Sequence, residues 1–297
     1  MISDAAGNFG VSEWGNSRVL QYKPPFANGM AASLVLGQTS FTTGVGSTTP
    51  NGLSAPHGIA FDKNGNLWVA DSNNNRAVEF TPPFSNGMTF SLVLGQTDLN
   101  FNCIATASRL CYPSDLIFDT NNNLWVVDDD NNRVLEFKPP FVTGQSAAVV
   151  LGQADFTSRG QAVASATGLF IPWSAAVDSA GNVWISDGGN WRVLEFTAPF
   201  SNGQAASVVL GFQNFTATIN SDPQSNMNNP RGLTFDSDGN LFLTDLGGSR
   251  VLVFAPPFSN GMRASKAIGQ QNLNNVGATS TPTSSGLSKP LAVSIAN

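Results

Sequence analysis

The stretch PHGIAFDKNGNLWVADSNNNRAVEFTPPFSNGMTFSLVLGQ, residues 56–96, recurs along the whole chain. It returns as PSDLIFDTNNNLWVVDDDNNRVLEFKPPFVTGQSAAVVLGQ (113–153), PWSAAVDSAGNVWISDGGNWRVLEFTAPFSNGQAASVVLGF (172–212) and PRGLTFDSDGNLFLTDLGGSRVLVFAPPFSNGMRASKAIGQ (230–270), and a copy without its opening occupies residues 4–38. Successive repeat arginines, Arg18, Arg76, Arg133, Arg192 and Arg250, are 58, 57, 59 and 58 residues apart. A period of this size with strand-like content predicts stacked supersecondary units.

Each copy contains short apolar runs separated by turn residues, without helical periodicity. In the second copy the predicted strands are Gly58–Phe61, Leu67–Ala70, Ala77–Phe80 and Phe90–Leu94. The first two are joined by a turn containing Asn-Gly, a pair that tolerates the positive φ of tight hairpins. The paired prolines that follow the third run lack N–H donors and are expected between strands. Each copy therefore predicts a four-stranded antiparallel meander, and a set of such sheets predicts an all-β propeller.

The two ends of the chain predict how the propeller closes. Residues 290–296 match the opening strand of the other copies, so we expect this C-terminal strand to complete the N-terminal blade. The expected architecture is a single five-bladed β-propeller over residues 1–297. Its blades are expected at 1–38 plus 287–297, 56–96, 113–153, 172–212 and 230–270.

The repeat resembles the NHL family of propellers. The residues that carry the resemblance are GNLWVAD (65–71) followed by Asn75 and Arg76, together with their counterparts in the other copies. The resemblance covers nearly the full chain and implies a propeller fold, but it assigns no single function. NHL-like lyases hold a metal through several histidines, and this sequence has one histidine.

Composition restricts the classes of partner. The formal net charge is −6, with 14 basic and 20 acidic residues, and the sequence pI is about 4.6. Nucleic acid requires clustered cations, so we expect no nucleic-acid partner. No apolar stretch approaches the length of a membrane span, no signal peptide is visible, and no cofactor motif is present. Because polarity comes mainly from uncharged residues, the sequence favours an extracellular or periplasmic protein.

Both cysteines, Cys103 and Cys111, lie in one inserted connection between blades. We expect them to form a local disulfide, which belongs to an oxidising compartment. The alternative is two unpaired thiols. Two cysteines and a distant histidine do not make a zinc ligand set, so no metal is expected.

An acidic residue precedes each repeat arginine by five positions. The pairs are Glu13 and Arg18, Asp71 and Arg76, Asp128 and Arg133, Asp187 and Arg192, and Asp245 and Arg250. Because each pair recurs in every blade, we interpret it as a structural link between the second and third strands. The recurring Asp-x-x-Gly-Asn turns are interpreted in the same way rather than as calcium loops.

Positions that differ between blades are the candidates for ligand contact. The residues after each blade-opening proline are expected around one channel mouth, and Trp14 and Trp191 lie in turns expected on the same side. The candidate ligand-binding residues are His57, Ser114, Asp115, Trp173, Trp191, Arg231 and Trp14. Polar groups beside an aromatic wall are typical of binding sites, and exposed tryptophan suits stacking on sugar rings. The alternative is that these positions vary because nothing constrains them.

Three functions remain open at this point. The first is a non-catalytic exported propeller that binds a protein or a glycan at the channel mouth. The second is a lyase or hydrolase in which His57 acts as a general base beside Asp115 and Arg231, the weak catalytic candidates. The third is a self-assembling structural subunit, suggested by the phenylalanine that follows each proline pair or Ala-Pro: Phe26, Phe84, Phe141, Phe200 and Phe258. If exposed, these rings would form an interface, but folding under their own hairpins is favoured.

Overall fold

The computed structural model describes residues 1–4, 6–96, 103–161, 163–277 and 283–295. Five four-stranded antiparallel sheets make up its regular structure, and they are the blades of a β-propeller. The predicted all-β propeller class is therefore confirmed. Among the described residues no helix is long and apolar enough to cross a membrane.

The strands follow the chain order within every blade. Blade 1 contains β1 (Ile2–Ser3), β2 (Phe9–Glu13), β3 (Arg18–Tyr22) and β4 (Leu34–Leu36). Blade 2 contains β5 (Pro56–Phe61), β6 (Leu67–Asp71), β7 (Arg76–Phe80) and β8 (Leu92–Leu94). Blade 3 contains β9 (Pro113–Phe118), β10 (Leu124–Asp128), β11 (Arg133–Phe137) and β12 (Val149–Leu151).

The remaining two blades have the same strand lengths as blades 2 and 3. Blade 4 contains β13 (Pro172–Val177), β14 (Val183–Asp187), β15 (Arg192–Phe196) and β16 (Val208–Leu210). Blade 5 contains β17 (Pro230–Phe235), β18 (Leu241–Asp245), β19 (Arg250–Phe254) and β20 (Lys266–Ile268). Strand β1 occupies the inner position of blade 1, and closure by the C-terminal segment stays a prediction, with 296–297 outside the described residues.

The chain divides into two compact units. The first comprises Met1–Asn131 and Leu135–Ala148, and the second comprises Asn132–Val134 and Val149–Asn297. Blades 1 and 2 belong to the first unit, and blades 4 and 5 belong to the second.

The second and third strands of blades 2, 3 and 4 are buried on both faces, as expected of a sheet that packs between neighbouring sheets. All five residues of β6, of β14 and of β15 are buried. The core of the second unit includes Trp184, Leu243 and Phe254. Burying these side chains is the main favourable contribution to folding, at roughly 25 cal/mol per Å² of apolar surface.

The chain turns after the third strand at a repeated segment, which we call the proline turn. The five proline turns span 24–30, 82–88, 139–145, 198–204 and 256–262, and the peptide bond before the second residue is cis in each. A glycine with positive φ, such as Gly87 (φ 66°), completes the turn.

The phenylalanine of the proline turn reaches a neighbouring blade. The ring of Phe141 lies 5.0 Å from that of Trp68 in the preceding blade, and the ring of Phe258 lies 4.7 Å from that of Trp184. The expectation that each ring folds under its own hairpin was incomplete. Phe141 and Phe258 also contact their own blades, at Phe118 and Phe235, with ring centroids 6.2 Å apart in each case. Each ring therefore links its own blade to the preceding one through edge-to-face contacts.

Candidate functional site

One end of each blade carries most of the predicted site residues. The opening proline pairs with the aspartate that ends the second strand, as in Pro56 opposite Asp71 and Pro172 opposite Asp187. The residue after that proline therefore lies beside the turn that joins the second and third strands. We call this the opening end of the blade.

His57 lies at the opening end of blade 2, in contact with Tyr112. The two rings are 5.5 Å apart and nearly perpendicular, at 82°. The Ser12 hydroxyl donates to the carbonyl oxygen of His57 at 2.5 Å. Tyr112 has a left-handed backbone (φ 50°), and its N–H donates to Asn75 Oδ1 at 2.8 Å. The backbone of His57 is thus anchored by Ser12, and its imidazole ring contacts the Tyr112 ring edge to face.

Asp115 lies against the residue that follows His57. A Cβ atom at Gly58 would come within 2.6 Å of the Asp115 Cα and 2.9 Å of the Leu116 nitrogen, so only glycine permits this approach of the strands. Asp115 Oδ1 accepts the Leu116 N–H at 2.9 Å. The structure thus brings a carboxylate next to the strand that carries the histidine. Ser114, by contrast, is buried and is not displayed at the surface.

Trp173 and Arg231 form the corresponding pair in the second unit. The Arg231 guanidinium carbon lies 3.9 Å from the centroid of the Trp173 ring, which is cation–π geometry. Behind them the Ser174 N–H donates to Ser186 Oγ at 2.9 Å, which fixes the start of β13. Sequence reasoning placed both residues in the candidate site, and the structure adds their direct stacking.

Trp14 and Trp191 are the exposed tryptophans of the chain's opening-end turns. Trp14 is 58% exposed and Trp191 is 48% exposed. Trp191 has a left-handed backbone with φ 57°, and its N–H donates to the Gly188 carbonyl at 3.2 Å. In the corresponding turn of blade 1 the Ser17 N–H donates to the Trp14 carbonyl at 3.3 Å.

The repeated acid–arginine pairs lie directly under these turns. The Nε–carboxylate distances are 2.6 Å for Arg18–Glu13, 2.6 Å for Arg76–Asp71, 2.7 Å for Arg192–Asp187 and 2.8 Å for Arg250–Asp245. The third blade's Asp128 and Arg133 are both buried. The aspartate also receives an N–H from the incoming connection, such as that of Phe170 to Asp187 at 2.6 Å. In blades 2, 4 and 5 both partners are buried, whereas Glu13 of blade 1 is 33% exposed.

Burial raises the pKa of Asp71 and Asp187 above the ordinary value, while the neighbouring arginine and N–H donors act in the opposite direction. The arginine spans the joints between strands and connections: Arg192 also donates to the carbonyls of Gly168 at 2.8 Å and Phe215 at 2.6 Å. Charge-assisted bonds of this kind fix geometry, which supports a structural role for the pairs.

The two cysteines form a disulfide, as predicted. Cys103 and Cys111 are bonded with their Cα atoms 4.9 Å apart. Within the described residues, Cys103, Cys111 and Asp130 are also the one group with metal-ligand spacing. Because both sulfurs are in the disulfide, neither offers a thiolate to a metal. The Cys111 N–H donates to Asp128 Oδ1 at 2.5 Å, which ties the loop to blade 3.

Sequence reasoning missed Tyr112 and Ser12 as neighbours of His57. The residue before the opening proline is left-handed in several copies, including Ala55, Tyr112, Ile171 and Asn229. A large aromatic at such a position is unusual. The tyrosine at position 112 could therefore have indicated, from the sequence alone, a side chain that contacts a neighbouring residue.

Comparison with known proteins agrees with this architecture. The sequence model described as NHL repeat matches residues 53–77. The fold defines the protein as a five-bladed β-propeller. The matched motif recurs in the other blades, and the predicted resemblance to NHL-repeat β-propellers is confirmed. No curated protein matches the sequence.

Solved structures show the same fold at low sequence identity. A streptogramin B lyase structure is 13% identical with a TM-score of 0.56, and the alignment covers 87% of this chain and 65% of that chain. A virginiamycin B lyase from Staphylococcus aureus is 9% identical with a TM-score of 0.53, covering 87% and 66%. A nidogen/laminin complex gives 15%, a TM-score of 0.58, and 89% and 76%. The chain thus spans slightly less than two thirds of the two lyases, and these likenesses show the fold alone.

Proposed function

We propose that this protein is a non-catalytic binding protein that holds a glycan or protein partner at the opening ends of its blades. The observation that carries the proposal is a contrast at one repeated position. The acid–arginine pairs recur in the blades, whereas the residue after the opening proline changes to His57, Trp173 or Arg231 and is partly exposed. A repeat that keeps its framework and varies one accessible position is organised for recognition.

The tryptophans of the second unit favour a carbohydrate partner. Trp173 and the exposed Trp191 belong to the same blade, and aromatic faces stack on the apolar faces of sugar rings. A protein partner is the alternative, because tryptophan and arginine also dominate protein interfaces. The nidogen/laminin neighbour has the same fold in a protein complex, which supports that alternative at the level of architecture.

The disulfide supports a location outside the cytoplasm. Disulfides persist in oxidising compartments and are rare where glutathione keeps thiols reduced. The Cys103–Cys111 bridge closes a loop whose Cys111 is buried. We therefore place the protein in an extracellular or periplasmic compartment, where glycans and matrix proteins are accessible.

A glycan array followed by titration calorimetry tests the binding proposal. We expect binding to at least one oligosaccharide of the array, weakened at least tenfold by Trp173→Ala, with Ile219→Ala as a control because Ile219 is 88% exposed in an unrelated loop. Absence of any ligand on the array, or unchanged affinity in Trp173→Ala, would remove glycan binding at this position. A protein captured by wild type and lost with Trp173→Ala would favour the alternative partner.

The second candidate is a lyase or hydrolase, and one contact favours it. Asp115 packs against Gly58, directly after the single histidine, so a base and a carboxylate lie on adjacent strands. Turnover of a panel of esters, lactones and uronic-acid glycans by wild type and His57→Ala tests it. Turnover that requires His57 would replace the non-catalytic proposal, and unchanged or absent turnover would eliminate the enzyme.

A further inference from the structure

The second position of the second strand carries an aromatic side chain in blades 2 to 5. The four residues are Trp68, Trp125, Trp184 and Phe242. In blade 4 the Trp184 ring lies 5.9 Å from Phe235 and 4.7 Å from Phe258, both in the following blade. The ring of Trp68 has the same two neighbours in blade 3, at 6.0 and 5.0 Å. An indole packed on a pair of phenylalanines is therefore a recurring contact between consecutive blades.

Blade 1 has a glycine at this position. Gly10 lies opposite Gln21, in the register that Trp68 has opposite Glu79. The two phenylalanines of blade 2 that correspond to the receiving pair are nevertheless present. Their ring centroids, in Phe61 and Phe84, are 6.5 Å apart, compared with 6.2 Å for the equivalent pairs of blades 3 and 5. Blade 2 thus keeps an aromatic pair with the spacing that receives an indole elsewhere.

Hydrogen bonds keep blades 1 and 2 at the spacing that an indole requires. Val35 in β4 donates its N–H to Asn86 Oδ1 at 3.0 Å, and its carbonyl accepts the Gly87 N–H at 3.2 Å. The corresponding bonds between Val209 in β16 and the proline turn 256–262 measure 2.9 and 3.2 Å. Because these lengths are the same with and without an intervening indole, the missing side chain leaves a gap that the blades do not close.

The gap is a cavity of about 320 Å³, part of which is open to solvent. Blades 1 and 2 both belong to the first compact unit, so the cavity lies within one unit. Leu67 begins β6, whereas the opening end of the blade is at Asp71, so the cavity is separate from the candidate site described above. Its apolar walls include Gly10, Leu34, Leu36, Phe61, Leu67 and Phe84.

A carboxylate lies beside the polar part of the cavity lining. Asn8 and Gln21 both line the cavity, and their side chains donate to Asp4 Oδ2 at 2.7 and 3.5 Å. In blade 4 the carboxylate at the same repeat position accepts the indole N–H, from Trp184 Nε1 to Asp178 Oδ2 at 3.0 Å. The same bond in blade 3 measures 3.3 Å. The acceptor for a ring N–H is therefore retained in blade 1 although the ring is absent.

We propose that this cavity binds a small planar aromatic compound that carries a ring N–H, for which indole is the probe. The aromatic ring packs edge to face on Phe61 and Phe84, as the tryptophans of blades 2 and 4 pack on their neighbours. Its N–H donates to Asp4 Oδ2, and the negative charge there favours a ring that donates a hydrogen bond over one that accepts. An apolar pocket with a single directing polar group is the usual form of a small-molecule site.

Titration calorimetry with indole tests the site. We expect wild type to bind indole and Gly10→Trp to bind it about tenfold more weakly or less, because the introduced side chain fills the cavity. A Cβ atom at Gly10 would lie 3.4 Å from its nearest neighbour, Ile2 Cγ2, so the position accepts a side chain. Gly160→Trp adds an indole where no atom lies within 4 Å of the new Cβ, and this control should bind like wild type. Wild type that does not bind, or equal affinity in Gly10→Trp, would overturn the proposal.

Benzofuran tests the hydrogen bond to Asp4. This compound has the shape of indole, but a ring oxygen replaces the N–H. We expect wild type to bind benzofuran about threefold more weakly than indole or less, which corresponds to one hydrogen bond. Equal affinities would overturn the assignment of the ligand class, because shape alone would then account for binding.

Protection of an introduced thiol locates the bound ring without relying on how Gly10→Trp folds. The native cysteines are paired, so iodoacetamide reports on the Gly10→Cys thiol. At an indole concentration of about four times Kd we expect alkylation to slow about fivefold, by mass action. Gly160→Cys is the matched control and should react at the same rate with and without indole. An unchanged rate in Gly10→Cys would place any bound indole elsewhere and overturn the proposal.

Discussion

Strands β16 and β20 are the outer strands of adjacent repeats in the same unit, and they differ in burial and in sequence. β16 is covered by the proline turn 256–262, and its Leu210 is fully buried. β20 has the same register against its neighbour, but its Ile268 is half exposed. β16 is Val208-Val209-Leu210 and β20 is Lys266-Ala267-Ile268, so a half-buried valine in the first strand corresponds to an exposed lysine in the second.

This contrast shows where the stability of a repeat lies. A blade satisfies its inner hydrogen bonds alone, but the outward edge and the central aromatic ring need the next copy. In blade 4 the ring of Trp184 contacts both Phe235 and Phe258 of blade 5. In blade 5 the equivalent Phe242 is partly exposed. Equivalent positions in the two blades are therefore expected to contribute differently to stability, because one is fully buried and the other is partly exposed.

The largest expected effect on stability concerns the contact of Trp184 with the two phenylalanine rings of blade 5. Trp184→Ala removes a fully buried side chain and should lower the free energy of unfolding by about 3–5 kcal/mol. Phe242→Ala should cost no more than about 2 kcal/mol, because the ring is only partly removed from water. Urea unfolding of both variants measures the difference, with unchanged m-values as the check on the unfolded state. Equal losses would show that blade 5 is as enclosed as blade 4.

The second effect concerns the buried arginine. Arg192→Ala leaves the buried Asp187 without its cation and should cost about 3 kcal/mol. In blade 1 the equivalent Arg18 pairs with a partly exposed Glu13, and Arg18→Ala should cost less than about 1 kcal/mol. The midpoints of urea unfolding compare the two. A large loss in Arg18→Ala would mean that the pair contributes independently of its burial.

Much of this architecture was predictable from sequence because the signals repeat. The expected strand Leu67–Ala70 is observed as Leu67–Asp71, and Ala77–Phe80 is observed as Arg76–Phe80. Four or five copies of a turn signal reduce the ambiguity that a single short apolar run carries. The disulfide was predictable for a different reason, since two cysteines in one inserted loop have few alternatives.

The contacts between repeats were harder to predict. Nothing in the sequence of a proline turn states that Phe141 packs on Trp68, because the two residues lie 73 positions apart. The stacking of Arg231 on Trp173 likewise depends on how adjacent blades approach. Internal repetition identifies which positions vary, but their side-chain partners are set by packing between copies, which the repeat pattern does not encode.

The third effect concerns the hydrogen bond from the Val209 N–H of β16 to the Asn260 side chain. Asn260→Ala removes the acceptor of the Val209 N–H, and the loss should be about 1 kcal/mol. Asn28→Ala should change the stability of the isolated chain by less than about 0.5 kcal/mol, since its side chain is exposed. Thermal melting at low protein concentration separates these values. If Asn28→Ala were as destabilising as Asn260→Ala, the first proline turn would already be engaged within the chain.

The smallest effect is a pH dependence that blade 4 has and blade 5 lacks. Glu195 lies opposite Trp184, where blade 5 has Val253 opposite Phe242. Burial raises the pKa of Glu195 above its ordinary value of 4.5, although its carboxylate accepts bonds from Ser207 Oγ at 2.7 Å and Asn182 Nδ2 at 3.1 Å. Those two bonds are retained on ionisation, so the effect is limited.

A raised pKa in the folded state means that this carboxyl stabilises the fold below pH 4.5 and that the contribution is lost as the pH rises through the folded value. Glu195→Val gives blade 4 the residue of blade 5 and removes the titration. Relative to wild type, the variant should therefore gain stability as the pH rises from about 4 to about 7 in urea unfolding. Asp155→Asn is the control of opposite sign, because the Thr157 hydroxyl lowers the pKa of Asp155 to about 2 and its contribution is lost as the pH falls. If the stability difference between wild type and Glu195→Val stays constant with pH, the fold does not shift the pKa of Glu195.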